Sequence, residues 1–152
     1  MDDATDRIEQ QLTTLFRRVQ KIHVFTSHGE FALDRSGYGL LCRIADEGPQ
    51  RLGSFATAFG LDPSTITRQV QALERAGLAE RQPDPDDRRA ALLSLTEEGR
   101  TAVLATRAHR RRRLEQVLAD WSPEDRHDFA RLVKLFNEST DQLIAEERAG
   151  EK

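Results

Sequence analysis

The segment DPSTITRQVQALERAGL, Asp62 to Leu78, decides how this chain is read. Asp62 is a good helix N-cap, Pro63 suits the first helical position, and Gly77 is a natural stop. Between them Ile66, Val70 and Leu73 recur at helical spacing and form a stripe to be buried. With a turn of about 100° per residue, the opposite face carries Ser64, Arg68, Gln71 and Arg75, flanked by Thr65 and Thr67. Glu74 lies to one side, so the middle of that face holds hydroxyl, amide and guanidinium groups and no carboxylate. Such groups hydrogen-bond base edges and phosphates, as a helix inserted in a major groove must. For this helix alone, an ordinary solvated face has the same appearance.

The residues that follow add a second element. Leu78 to Gln82 reads as a short strand, and PDPDDRR, Pro83 to Arg89, as a turn dense in Pro and Asp. Ala90 to Leu95 reads as a second strand with Leu93 and Leu95 on one face. Two strands around a basic-tipped turn, directly after a helix pair, make a β-wing. Arg88 and Arg89 sit where a wing reaches a minor groove, whose negative potential attracts arginine. Asp86 and Asp87 would repel phosphate if unpaired. Asp87 is therefore expected to orient Arg89 through a charge-assisted hydrogen bond. A solvated hairpin explains any one of these residues, but less well the whole ordered set.

The run LDPSTITRQVQALERAGLAERQPDPDDRRAALLSLTEEGR, Leu61 to Arg100, resembles the heart of the MarR family (multiple antibiotic resistance regulators). The shared motif is Asp-x-Arg, five residues, then Leu-Thr-x-x-Gly, here Asp87 to Arg89, Ala90 to Ser94, and Leu95 to Gly99. A Leu-Glu-x-x-Gly-Leu step precedes it at Leu73, Glu74, Gly77 and Leu78. These motifs cover about a quarter of the chain and are jointly specific. The resemblance implies an obligate dimer, a recognition helix at Asp62 to Ala76, and Arg89 entering the minor groove. Ala79 stands where the family often carries a larger β-branched residue, so a weaker strand is expected there.

Upstream, Ile8, Leu12, Leu15, Phe16, Val19, Ile22 and Phe25 predict one long amphipathic helix from Thr5 to Thr26. Ser27 to Leu33, with His28, Gly29 and Glu30, reads as a loop. Asp34 is expected to cap a second helix carrying Tyr38, Leu40, Leu41, Ile44 and Ala45 and ending near Gly48-Pro49. Gly37 and Gly39 weaken its first turn. A short helix from Gly53 to Phe59 and a break at Gly60-Leu61 lead into the decisive segment.

Downstream, Thr96 caps a helix with Glu97 and Glu98 in its first turn, running to about Asp120. Ser122 caps a final helix with the stripe Phe129, Leu132, Val133, Phe136, Leu143 and Ile144. Three long amphipathic helices at the two ends leave more apolar stripe than a winged core can cover, and a partner subunit is the simplest cover. The expected fold is mainly α with a small β-wing. Residues 34–95 form a winged helix-turn-helix DNA-binding domain. Residues 1–33 form an N-terminal dimerisation helix and loop, and residues 96–152 the C-terminal dimerisation helices. Two recognition helices would then meet major grooves about 34 Å apart, on a pseudopalindromic operator in double-stranded DNA. Of two readings of the basic run Arg107 to Arg113, added phosphate contacts and a solvated face paired with nearby carboxylates, the second is favoured, because these arginines point all round a helix.

Bulk properties fit this reading. The 152 residues are 38% hydrophobic and 32% charged, with a formal net charge of −3. A DNA surface must therefore be local. One cysteine excludes an intrachain disulfide and fits a reducing, cytoplasmic setting. The polar start MDDATDRIEQ lacks the features of a signal peptide, and no apolar run approaches the roughly 18 residues of a membrane span. The sequence has no GxSxG, P-loop or HExxH pattern, so no catalytic residue, metal site or cofactor is expected.

The family typically binds small amphipathic, often aromatic, effectors. Candidate lining residues here are His23, Tyr38 and Cys42, each of which also fits plain core packing. One alternative is a regulator sensing oxidants through Cys42, or zinc through His23, His28, His109 and His127. These histidines are not compactly spaced, and Cys42 lies on an apolar helix face. Another alternative is a winged-helix module that binds protein. It would call for an apolar outer face on the helix after Gly60 and no wing arginine.

Overall fold

The computed structural model describes residues 3–22 and 35–150, with the side chains of 3–18 and 37–150. Helix α1 spans Asp3–Ile22, slightly earlier than the predicted start. The expected loop over 27–33, the cap at Asp34, and His23 and His28 lie outside the described residues. The chain divides into two compact units at Arg113–Leu114.

In the first unit, α2 (Arg35–Glu47) is followed by β1 (Gln50–Arg51), α3 (Leu52–Phe59), α4 (Pro63–Arg75), β2 (Ala79–Pro83), β3 (Ala91–Leu95) and the start of α5 (Glu97–Val117). This is the order and layering of a winged helix-turn-helix. Helix α2 stops where Gly48 takes φ +84° and donates its amide to the Ile44 carbonyl at 2.9 Å. Gly37 and Gly39 do not break it. Gly39 is where the Phe59 ring comes close, 3.2 Å from the position a Cβ would take. Between α3 and α4 the chain reverses at Gly60, a left-handed residue with φ 60° that glycine adopts without strain. Phe55, Leu40, Leu41, Ile66, Val70, Leu78, Leu93 and Val103 fill one continuous core. Burying each such side chain contributes about 1.5–3 kcal/mol.

The sheet is antiparallel with strand order β1-β3-β2. Its hairpin register runs from Ala79 opposite Leu95 to Pro83 opposite Ala91. Strand β1, pairing Gln50 with Leu93 and Arg51 with Leu92, was not anticipated from the sequence. Two residues carry no periodicity, and the strand exists because β3 would otherwise present an unpaired edge. Ala79 does not prevent strand formation, since it is buried opposite Leu95.

The family motifs have a physical explanation at the junction of α4 and α5. Helix α4 ends in a Schellman motif: Leu78 donates its amide to the Leu73 carbonyl and Gly77 donates to Glu74, both at 3.0 Å, with Gly77 at φ +71°. Leu73 and Leu78 are both buried in the core. The Thr96 hydroxyl caps α5 by accepting the Gly99 amide at 3.0 Å, and it donates to the Gly77 carbonyl at 2.6 Å. The Thr96 amide donates to the Leu78 carbonyl at 3.2 Å. Gly99 lies against that carbonyl, where a Cβ would stand 1.9 Å from its oxygen. The Leu-Glu-x-x-Gly-Leu step and the Leu-Thr-x-x-Gly step are thus two halves of one joint. Beyond it the first turns of α5 belong to the core through Ala102 and Val103.

The second unit contains α6 (Pro123–Gly150). Ser122 caps it, accepting the Asp125 amide at 3.0 Å and donating to the Asp125 carboxylate at 2.8 Å. Trp121 meets Phe129 edge-on, with centroids 5.4 Å apart. The predicted stripe of Phe129, Leu132, Val133, Phe136, Leu143 and Ile144 is present on α6 and exposed.

Candidate nucleic-acid interface

Helix α4 turns the predicted face outward. Its stripe of Ile66, Val70 and Leu73 is buried, while Ser64, Arg68, Gln71 and Arg75 are exposed and Thr65 and Thr67 partly so. The first turn is fixed by Asp62. Its carboxylate accepts the Thr65 amide at 3.0 Å, the Thr65 hydroxyl at 2.6 Å, and the Ser64 hydroxyl. The bonds from Ser64 and Thr65 hold Asp62 well below the usual carboxylate range, so it stays ionised at the positive end of the helix dipole. The Thr67 hydroxyl donates to the Pro63 carbonyl at 2.8 Å. With their protons given to these acceptors, the three hydroxyls have only lone pairs left to offer a further partner. Arg68 reaches back to the Thr65 hydroxyl at 3.4 Å, and Arg68, Gln71 and Arg75 supply the donors. Glu74, the carboxylate beside this face, is drawn aside by Arg81 of β2 at 2.9 Å.

The wing tip carries Arg88 and Arg89, both exposed; among the described residues neither side chain has an ion-pair partner. Asp87 organises the tip, though not through the guanidinium bond expected from sequence. Its carboxylate accepts the Arg89 backbone amide at 3.0 Å, and its carbonyl accepts the Ala90 amide at 2.9 Å. This is an Asx turn, which shapes the backbone and leaves the arginine head free to reach outward.

The sequence reading missed Asp84. It closes the hairpin with its amide on the Ala90 carbonyl at 3.2 Å, and its side chain is buried, with the residue only 4% exposed. The carboxylate accepts the Asp86 amide at 2.9 Å and Arg51 Nε at 2.6 Å. The Asp86 amide, reinforced by Arg51, holds Asp84 below its ordinary value. An Asp-Pro step signals a turn, but no local signal points to a partner in β1.

Of the effector candidates, Tyr38 is buried and Cys42 partly buried on α2, and His23 is outside the described residues. Burial, reinforced by the Cys42 thiol, pushes the Tyr38 phenol up, so it is neutral. The Arg110 guanidinium lies 3.7 Å from the Tyr38 ring centroid. Arg107 pairs with Asp46 at 2.7 Å, as expected of a basic run balanced by nearby carboxylates. A cleft of about 350 Å³ opens at the far end of α2, among Ile44, Pro49, Arg100, Val103 and Leu104. Tyr38 and Cys42 do not line it. Among the described residues no group of His, Cys, Asp or Glu is placed to hold a metal ion, and no helix is long and apolar enough to cross a membrane.

Comparison with known proteins agrees with this geometry. The model of the MarR family matches residues 33–91. YxaD of Bacillus subtilis, named an uncharacterized HTH-type transcriptional regulator, is 36% identical over 135 residues, covering 87% of this chain and 92% of that protein. The crystal structure of RV1404 from Mycobacterium tuberculosis superposes with a TM-score of 0.77 at 29% identity, covering 93% of this chain and 97% of that one. A MarR family protein from Bacillus stearothermophilus does so with a TM-score of 0.73 at 26% identity, covering 92% and 99%. The motif joint, the winged core and these likenesses lead to one conclusion: this chain belongs to the MarR family of transcriptional regulators.

Proposed function

We propose that the protein is a homodimeric repressor that binds a pseudopalindromic operator in double-stranded DNA, with a small amphipathic or aromatic effector weakening its grip. In this reading α4 enters the major groove with Ser64, Thr65, Thr67, Arg68, Gln71 and Arg75, and Arg88 and Arg89 reach the adjacent minor groove. The observation that carries it is the outward face of α4, rich in donors, with Glu74 drawn aside by Arg81 and an arginine-tipped hairpin next to it. A protein-binding module would carry apolar groups there. Residues 34–95 hold the DNA surface. Residues 1–33 and 96–152 supply the dimer contacts, with the first half of α5 also serving the winged core. Exposed apolar residues on α1 (Ile8, Leu15, Phe16) and on α6 support a partner copy as their cover. The effector acts through differential affinity for the DNA-competent shape, typically about 1–3 kcal/mol.

The test is a titration of labelled duplex DNA across salt concentrations. Affinity should fall linearly with salt on logarithmic axes, and Arg89→Ala should weaken operator binding by about 1–3 kcal/mol while leaving the oligomer intact. Binding that ignores salt, or an Arg89→Ala protein that binds as tightly as wild type, would remove the DNA reading of this surface.

A further inference from the structure

We propose that Arg51 and Asp84 form a clamp that positions the wing for DNA, making both of them positioning residues for operator binding. This assignment rests on the DNA-binding reading above. Arg51 stands at the N-cap of α3, with φ −69° and ψ 144°, and makes no side-chain cap bond. Ser, Thr, Asp and Asn are the residues that satisfy a helix start, so this position forgoes a local stabilising bond. Its side chain reaches 33 residues along the chain to Asp84, with Nε at 2.6 Å and Nη2 at 2.5 Å from the same Oδ2. The Asp84 side chain is 3% exposed and the Arg51 side chain 53%. A buried carboxylate at the base of the wing is therefore held by a cation from the opposite edge strand.

The rest of the carboxylate sets the shape of the tip. Its Oδ1 accepts the Asp86 amide at 2.9 Å, and Asp87 then accepts the Arg89 amide at 3.0 Å. The chain of bonds thus runs from β1 through Asp84 and the turn to the backbone of Arg89. A wing held in one shape before it meets DNA loses less conformational freedom on binding, so its arginines act at full strength. Glu74 with Arg81 is the second tie, joining β2 to α4. The wing is fastened on one side to the reading helix and on the other to the edge strand.

Arg51 is half-exposed and basic, so a direct phosphate contact is the competing explanation, and Asp84→Asn separates the two. Asparagine keeps an acceptor for the Asp86 amide but gives up the charge that holds Arg51. It leaves Arg51 free for phosphate and removes a negative charge. The probe is a fluorescein-labelled duplex selected from a random-sequence pool by the wild-type protein. It is titrated with wild type, Asp84→Asn, Arg89→Ala and the double variant, each checked for an unchanged far-ultraviolet spectrum.

The clamp predicts that Asp84→Asn loses about three- to tenfold in affinity, less than the loss for Arg89→Ala, and costs clearly less in the Arg89→Ala background, where only Arg88 remains to be positioned. Equal or tighter binding by Asp84→Asn overturns the clamp in favour of a phosphate contact. A loss that persists undiminished in the Arg89→Ala background overturns it as a general structural effect. An Arg89→Ala protein that binds as wild type sinks the wing reading itself, and the clamp with it. Should Asp84→Asn not fold, Arg51→Lys reads the same quantity. It keeps the charge but not the two nitrogens on Oδ2, and the clamp predicts a smaller loss, about two- to threefold. Wild-type affinity for that variant overturns the proposal.

Discussion

Gly99→Ala sets local propensity against tertiary packing. Gly99 lies in the first turn of α5 and is not among the positive-φ glycines, so the backbone permits alanine. Helix propensity alone then favours the substitution by up to about 1 kcal/mol. The joint opposes it. The added methyl would stand 1.9 Å from the Leu78 carbonyl oxygen and 2.9 Å from its carbon. These are backbone atoms held by the Schellman end of α4, so no flexible side chain can swing aside. Relief requires α5 and the α4 end to part, at an overpacking cost of about 1–3 kcal/mol. Parting also strains the bond from the Thr96 amide to Leu78 and that from its hydroxyl to Gly77, each worth about 0.5–1.5 kcal/mol. The net expectation is a loss of about 2–4 kcal/mol, or roughly 5–15 °C in thermal midpoint for a chain of this size. The assay is thermal unfolding followed by circular dichroism at fixed protein concentration. Gly53→Ala is the internal control: it is exposed in α3, with nothing within 4 Å of the new methyl, so its midpoint should hold or rise slightly. A Gly99→Ala midpoint equal to or above wild type would refute the account of the joint.

Three further outcomes are expected. Arg68→Ala should lose about 1–3 kcal/mol on the operator and much less on random duplex; an equal loss on both would make Arg68 a phosphate contact. Asp62 and Asp84 are ionised below the usual carboxylate range, Asp62 by the Ser64 and Thr65 bonds and Asp84 by the Asp86 amide and Arg51. A folded value below the unfolded one gives stability that is present above about pH 4 and lost as pH falls through the folded values. Asp62→Asn keeps a capping oxygen but no titration, so its midpoint should fall less steeply with acid than wild type; parallel curves would count against the cap. Phe136→Glu should shift the mass measured by light scattering from twice 17.3 kDa towards the single-chain value, and a wild-type protein already at 17.3 kDa would contradict the dimer.

Helix α4 was legible because its signals are local. Asp62, Pro63 and Gly77 mark its ends, and Ile66, Val70 and Leu73 mark its buried side, all within one stretch where each residue constrains its near neighbours. The wing was legible for the same reason, apart from its strand ends. The sequence also determined the family through two motifs, without revealing why they travel together. That reason is tertiary: the carbonyls of Gly77 and Leu78 meet Thr96 and Gly99 across the α4–α5 joint. Strand β1, the pairing of Arg51 with Asp84, and the use of Asp87 on a backbone amide were likewise settled only by the fold. Each depends on which distant groups arrive within about 3 Å, and hydrogen bonds of that range leave no period in a sequence. Helical faces can be read from one strand of text because the helix repeats; contacts between elements cannot, because they are made once.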